Sequence, residues 1–162
     1  MRLPSAFLAT LLAFGLLLSG PWPAAAGSTE GGSASSDSNS SRMSFGDALN
    51  AMRAQNGLGA LREDRILQAA AQAYAEEMAR TGSHSHTGPD GSTVVDRARR
   101  AGCRGRGYFA ENIAWGQDSA GDTFAGWSAS AGHRANMLGP NYGVYGLGQA
   151  GGMWVLMFAD GC

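Results

Sequence analysis

All three histidines of the chain fall in two short motifs, Ser83-His84-Ser85-His86 and Gly132-His133-Arg134. Between them stands Glu111, in the apolar-flanked run Phe109-Ala110-Glu111-Asn112-Ile113. Imidazole nitrogens bind borderline divalent ions such as zinc, and a carboxylate or water completes a set of four ligands. Two histidines, one glutamate and a water satisfy that count. Histidines flanking turns stand where polar sites are usually built, unlike histidines scattered over helix surfaces. The competing reading makes His86 and His133 hydrogen-bonded groups that pin loops to a sheet, and the residues alone divide the two readings evenly.

The catalytic possibilities are narrower. His86 and His133 are far apart in the chain, so only tertiary folding joins them, and the H-E-x-x-H zinc motif on one helix is absent. His84 and His86 are an i, i+2 pair, which in an extended segment faces one side. A carboxylate in an apolar strand is costly to bury unless it is paired or hydrogen-bonded. Glu111 is therefore either a general base beside a metal-bound water or an acceptor for a histidine N–H. Asn112 alternates to the other face of its strand and fits the anchoring of a loop backbone. Serine chemistry is disfavoured: Ser128 and Ser130 lie near His133, but Gly126-Trp127-Ser128-Ala129-Ser130 is not a G-x-S-x-G elbow. Gly143-Val144-Tyr145-Gly146-Leu147-Gly148 precedes a strand rather than a helix, so its glycines suit close packing and not phosphate binding.

These residues need elements to hold them. Phe45, Ala48, Leu49 and Met52 have helical spacing over 45–56, with Ser44 as N-cap. Asp64 caps a stronger helix running to about Arg80, whose buried stripe is Leu67, Ala70, Ala71, Tyr74 and Met78. Thr81-Gly82 stops it, and the first histidine motif follows in a loop ending in the turn Gly88-Pro89-Asp90-Gly91. Thr93 and Asp96 are spaced as a capping-box variant for a short helix ending at Gly102. A strand is expected over 108–114, a short helix over 123–130 and the second histidine motif directly after it. Strands over 142–149 and 153–159 flank the hairpin signal Ala150-Gly151-Gly152. The class is α+β, with helices covering a small, antiparallel sheet.

The ends of the chain set the compartment. Residues 1–26 read as a secretory signal peptide: Arg2, an uncharged apolar run from Ala6 to Leu18, then Pro21, Pro23 and the small-residue site Ala24-Ala25-Ala26. The run is short of the roughly 20 residues that span a bilayer, so no transmembrane anchor is expected after cleavage. Residues 27–42 are almost entirely small and polar and are expected to form a flexible Gly/Ser-rich linker. Residues 43–162 are one domain with a single core. Localisation is secreted or extracytoplasmic, either periplasmic or extracellular. The two cysteines, Cys103 and Cys162, in an oxidising compartment favour a disulfide over free thiols or an intermolecular bridge. Such a loop is worth roughly 4 kcal/mol in the chain-entropy model. Net charge is near zero and every basic residue is Arg. Arg97, Arg99, Arg100, Arg104 and Arg106 cluster without an aromatic ladder, so nucleic acid is set aside as a partner and a solvated helix end is preferred.

Taken together, Ser85-His86-Thr87-Gly88-Pro89-Asp90-Gly91, Ala110-Glu111-Asn112-Ile113-Ala114-Trp115-Gly116 and the run from Gly126 to Leu138 resemble the CAP superfamily. This superfamily comprises cysteine-rich secretory proteins, antigen 5 and pathogenesis-related proteins (SCP-like domains), and the chain is similar to its compact bacterial branch over about residues 45–160. The resemblance implies an α-β-α sandwich with a central antiparallel sheet and a solvent-facing cleft. In eukaryotic members that cleft holds two His and two Glu. By matching motifs His86 and His133 are the two imidazoles and Glu111 the first acid, while Ser130 stands where the second acid would be. His84 takes a place where relatives often carry an aromatic, and either adds a ligand or is simply exposed.

Family functions are diverse, so fold and cleft do not name an activity. The leading expectation is an exported, non-enzymatic binding or signalling domain whose cleft holds a divalent metal, zinc favoured, and whose ligand is a lipid, a peptide or an envelope component. The alternatives are a metal-assisted hydrolase of peptides or cell envelope with Glu111 as base, and a structural domain whose cleft residues only stabilise the fold.

Overall fold

The computed structural model describes residues 43–162. The expected signal peptide and linker, residues 1–42, lie outside the described residues. Three helices precede the first long strand: α1 (Phe45–Gln55), α2 (Arg65–Thr81) and α3 (Val94–Arg100). A two-residue strand, β1 (Arg62–Glu63), lies between α1 and α2, and β2 (Phe109–Trp115) follows α3. Helices α4 (Ala120–Ala129) and α5 (Ala131–Met137) then lead into the hairpin of β3 (Val144–Ala150) and β4 (Met153–Ala159).

Side-chain caps explain where the helices begin. Ser44 and Asp47 form a reciprocal capping box on α1, and Thr93 and Asp96 form another on α3. The Asp64 carboxylate accepts from the backbone N–H groups of Ile66 and Leu67 and opens α2, which Gly82 ends in the left-handed conformation at φ 68°. Gly151 and Gly152, both at positive φ, make the two-residue turn between β3 and β4.

The sheet order is β1-β3-β4-β2, so β4 is internal and β2 is a free edge. Strands β2, β4 and β3 pair antiparallel, as the sequence suggests. The sheet as a whole is mixed, because β1 runs parallel to β3. A segment of two residues is too short to show alternation, which is why this edge is invisible in the sequence.

Period-two alternation along β4 divides the core. Val155, Met157 and Ala159 pack with Leu67, Ala71, Tyr74 and Met78 of α2 and with Ala98 of α3. Trp154, Leu156 and Phe158 pack with Leu49 and Met52 of α1, Trp127 of α4 and Met137 of α5. The result is an α-β-α sandwich. Cys103 and Cys162 are disulfide-bonded, tying the loop after α3 to the C-terminus. Among the described residues no helix is long and apolar enough to cross a membrane.

The glycines of β3 act on this packing directly. A Cβ on Gly146 would overlap the backbone of Leu67 and Gln68, and one on Gly148 would overlap that of Ala71 and Gln72. Helix α2 therefore lies against bare backbone on β3, and the colliding atoms are main chain that cannot rotate aside. Replacing Gly148 with Ala is expected to lower stability by about 3 kcal/mol or more, at the upper end for overpacking. Urea unfolding of G148A against a Gly126→Ala control, where a Cβ meets nothing, measures the difference.

Candidate functional site

The free edge of β2 is where the two helical layers meet. Odd-numbered residues of β2 turn toward the α2/α3 layer, where Ile113 and Phe109 join that core. Even-numbered residues turn toward α4 and α5, with Ala110 and Ala114 in the second core. The carbonyls that an edge strand leaves unpaired are capped by side chains of the second layer. Asn136 Nδ2 donates to Glu111 O at 3.2 Å and Trp127 Nε1 donates to Ile113 O at 3.2 Å. This covering removes a row of acceptors that would otherwise invite another strand.

Glu111 is buried, and both of its carboxylate oxygens are engaged. Arg97 Nη2 donates to Oε2 at 2.8 Å, with the two side chains only 6% and 2% exposed. His86 Nδ1 lies 2.9 Å from Oε1, and since a carboxylate only accepts, the imidazole donates there. This fixes the His86 tautomer and leaves Nε2 outward on a ring whose side chain is 58% exposed. Arg97 reaches further. It donates to Ser92 O at 2.7 Å and to His86 O at 3.0 Å, and its guanidinium lies 3.5 Å from the centre of the Tyr74 ring. One guanidinium thus joins α3, β2, α2 and the loop carrying the first histidine motif.

Arg97 corrects the reading of the arginine cluster as a solvated helix end. Arg99, Arg100, Arg104 and Arg106 are exposed, but Arg97 is buried. The signal was present in the spacing: Val94, Arg97 and Ala98 follow the i, i+3, i+4 pattern of a buried face.

His133 comes from the opposite layer. The second histidine motif, expected directly after a short helix, forms the first turn of a further helix, α5. That helix is held at three points. Asn112, completely buried on β2, donates to His133 O at 3.0 Å and accepts from Asn136 Nδ2 at 2.8 Å. Buried Arg53 of α1 donates to Met137 O and Gly139 O, both at 2.9 Å, at the far end of the helix. Among the described residues neither ring nitrogen of His133 has a hydrogen-bond partner. Burial, and secondarily the nearby His86 ring, push the His133 pKa below the ordinary histidine value. His86 and His133 thus come to β2 from two layers, near enough for the charge of one ring to act on the other.

The other candidates divide. His84 does not join this pair; it stacks on Trp115, with ring centres 4.5 Å apart and planes 11° from parallel. His84 and His86 thus lie along one face of β2, opposite Trp115 and Glu111 respectively. Ser130 ends α4 and begins α5, and its hydroxyl makes no capping bond. It lines a recess of about 270 Å³ together with His133, Trp127, Trp115 and Gln117. Trp115 entered the sequence reading only as part of the motif from Ala110 to Gly116, and Gln117 was not singled out, since a loop amide carries no pattern.

As a metal site the donor set is sparse. Among the described residues no three His, Cys, Asp or Glu side chains converge to hold an ion. Glu111 is spent on Arg97 and His86. His86 is oriented by the carboxylate behind it, an arrangement common for metal-bound histidines.

Two outcomes test this geometry. Arg97→Met strands a buried carboxylate and is expected to cost about 3–5 kcal/mol in chemical denaturation. Adding Glu111→Leu should recover part of that loss, which would not happen if the two residues acted independently. In an NMR titration His133 should protonate below the ordinary value of about 6.5, and His86→Ala should raise it. Because the unfolded chain takes up this proton first as pH falls, the contribution of His133 to stability declines from about pH 6.5 to its lowered pKa and is flat below.

The comparisons with known proteins agree with this architecture. The model of the CAP family, the cysteine-rich secretory proteins, matches residues 47–152. The protein YkwD of Bacillus subtilis (strain 168) is 31% identical over 114 residues, which is 69% of this chain and 44% of YkwD. The chain thus spans less than half the length of that relative. An extracellular protein with an SCP domain from Bacillus anthracis superposes with a TM-score of 0.68 at 26% identity, over 71% of this chain and 38% of that one. An outer surface protein of Borrelia burgdorferi shares the fold with a TM-score of 0.64 at 18% identity, over 71% of this chain and 88% of its own. With the family's model covering most of the described domain, and the cleft motifs arranged on its α-β-α sandwich, the chain belongs to the CAP family of cysteine-rich secretory proteins.

Proposed function

We propose that this chain is an exported, non-enzymatic binding domain whose cleft, at the free edge of β2, holds a divalent cation between His86 and His133. The observation that carries this reading is the full engagement of Glu111. A general base needs a lone pair within reach of the water it activates. Both carboxylate oxygens of Glu111 are instead turned to His86 and Arg97, and the side chain is only 2% exposed, so its remaining lone pairs are shut off from water. The residue is placed to orient an imidazole rather than to take a proton, and Ser130, in the place of a second acid, supplies no carboxylate.

Zinc is the favoured ion, since it accepts imidazole nitrogen and leaves its remaining positions to water or a ligand atom. When bound, it would supply a positive charge and exchangeable coordination positions in the cleft. Export is supported by the N-terminal pattern of residues 1–26, by the disulfide, and by relatives that are themselves extracellular or outer-surface proteins. The partner is a lipid, peptide or envelope component met outside the cytoplasm.

Calorimetric titration of zinc checks the site. Wild-type protein should bind one equivalent, the His86→Ala/His133→Ala double variant none, and Glu111→Gln about ten-fold more weakly through loss of ring orientation. Equal binding by wild type and the double variant would overturn the metal reading. Separately, zinc-loaded protein should leave peptide and envelope substrates intact. Hydrolysis that disappears in Glu111→Ala would replace the binding domain with a hydrolase.

A further inference from the structure

With Arg97 buried in the core, the remaining arginines of the cluster form a surface of their own. Arg99, Arg104 and Arg106 are exposed, and no Asp or Glu occurs between Asp96 and Glu111. Arg100 pairs with Asp90 at 3.1 Å, and Arg106 lies loosely against Asp160 at 3.7 Å. Among the described residues neither Arg99 nor Arg104 forms an ion pair. The dipole of a helix favours cations at its C-terminus, which accounts for Arg99 in the last turn of α3. It does not account for Arg104 and Arg106, which lie beyond the helix. Arg99 and Arg104 instead line a hollow of about 270 Å³ together with Cys103 and Gly105. The loop that carries them is held from behind. Cys103 is bonded to Cys162, Arg106 N donates to Asp160 Oδ1 at 2.8 Å, and Asp160 N donates to Tyr108 O at 3.2 Å. A Cβ on Gly105 would meet Asp160 Oδ1 at 2.5 Å and Gly161 O at 2.7 Å, so the loop lies directly on the segment after β4.

We propose that this hollow is an oxyanion site, seating one phosphate of a polyol phosphodiester chain met outside the cytoplasm. It shares with the proposed function only the export of the chain, since none of its residues belongs to the cleft. The lining selects charge: its side chains are two guanidinium groups and one half of a disulfide, which offer little to hydrocarbon or to a neutral sugar. A guanidinium is charged at every working pH and presents a planar fork of donors to phosphate or carboxylate. One fork comes here from α3 and the other from the loop beyond it. A carboxylate holds its two oxygens in one plane, whereas a phosphate spreads its oxygens tetrahedrally and so meets forks arriving from two elements. Arg106, next in sequence to Gly105 of the hollow, extends the positive surface past what one phosphodiester neutralises, which favours a chain of repeated charges over a single ion. Such a chain also gains from the counterions that it releases. The series of aromatic side chains on which bases stack is absent, with Tyr108 the one exposed aromatic on this loop, so the favoured chain is one without bases. The backing of the loop by the disulfide and Asp160 lowers the cost of ordering it on binding.

Fluorescence anisotropy of an end-labelled glycerol phosphate oligomer tests the assignment. Wild-type protein is expected to bind it saturably, with Kd of about 10–100 μM at about 50 mM salt, and several-fold more weakly at about 200 mM. Arg99→Gln/Arg104→Gln should weaken binding about ten-fold or more, and Arg106→Gln about three-fold. Arg65→Gln/Arg80→Gln removes the same charge from exposed positions on α2 and should bind as wild type does. All these side chains are exposed, so Tm should be unchanged, which separates loss of ligand from loss of fold. Zinc binding should be the same in every variant, so this proposal and the metal reading fail independently. No saturable binding by folded wild-type protein would overturn the proposal, as would an equal loss in the α2 variant, which would reduce the effect to net charge. Equally tight binding of poly-L-glutamate would replace the phosphate with any polyanion, and tighter binding of oligothymidylate would replace the polyol with a nucleic acid. Binding of phosphatidylglycerol vesicles, with none of the oligomer, would overturn it in favour of a lipid headgroup.

Discussion

The ion pair between Arg97 and Glu111 is the interaction on which the site depends. Two charges at 2.8 Å with side chains almost wholly withdrawn from water are costly to bury, and the cost is offset only when their remaining hydrogen-bonding capacity is met. Here most of it is. Arg97 finds two backbone carbonyls besides the carboxylate, and its flat face lies over Tyr74. Glu111 gives its second oxygen to His86. Because the carbonyls belong to His86 and Ser92, the loop from α2 to α3 is tied to the same centre that orients the imidazole. The position of His86 is thus a consequence of charge satisfaction in the core, not of loop sequence alone.

The edge strand supplies the second constraint. Successive residues of β2 point to opposite layers, so Glu111 reaches Arg97 and His86 while its neighbour Asn112 reaches α5. A one-residue slip of β2 against β4 would exchange those roles and break both. The register of β2 with β4, set along seven paired residues, therefore fixes the two walls of the cleft relative to each other. Trp127 and Asn136 complete the arrangement by covering the outward carbonyls of the edge, so the cleft is built on a strand that is free in topology but not in hydrogen bonding.

Elements whose boundaries are decided locally were legible in the sequence. Both capping boxes, the stripe of α2, the Gly82 stop and the glycine hairpin each follow from a few neighbouring residues. β1 was not legible, because two residues carry no period. α5 was not, because Ala131 to Met137 is small and polar except at its last residue, and it is held by Arg53 and Asn112 from elsewhere in the chain. The site divides the same way. His86, His133 and Glu111 stand out by type, but what Glu111 does was decided by Arg97, whose burial depends on a partner that only folding supplies.

The two halves of the cleft differ in how they are held, and this bears on how it binds. His86 has one ring nitrogen fixed by Glu111, so little rotamer freedom is left to lose when the other nitrogen meets a ligand. His133 is fixed at its backbone by Asn112, and its ring is unbonded. The entropy of ordering, for a ligand that engages both, falls mainly on one side chain. Burial holds that ring toward its neutral form, in which a nitrogen lone pair is available to a metal or a hydroxyl. The buried ion pair sets one imidazole through Glu111, and the uncharged recess adjoins the other, so the recess stands apart from the charges that hold the cleft together.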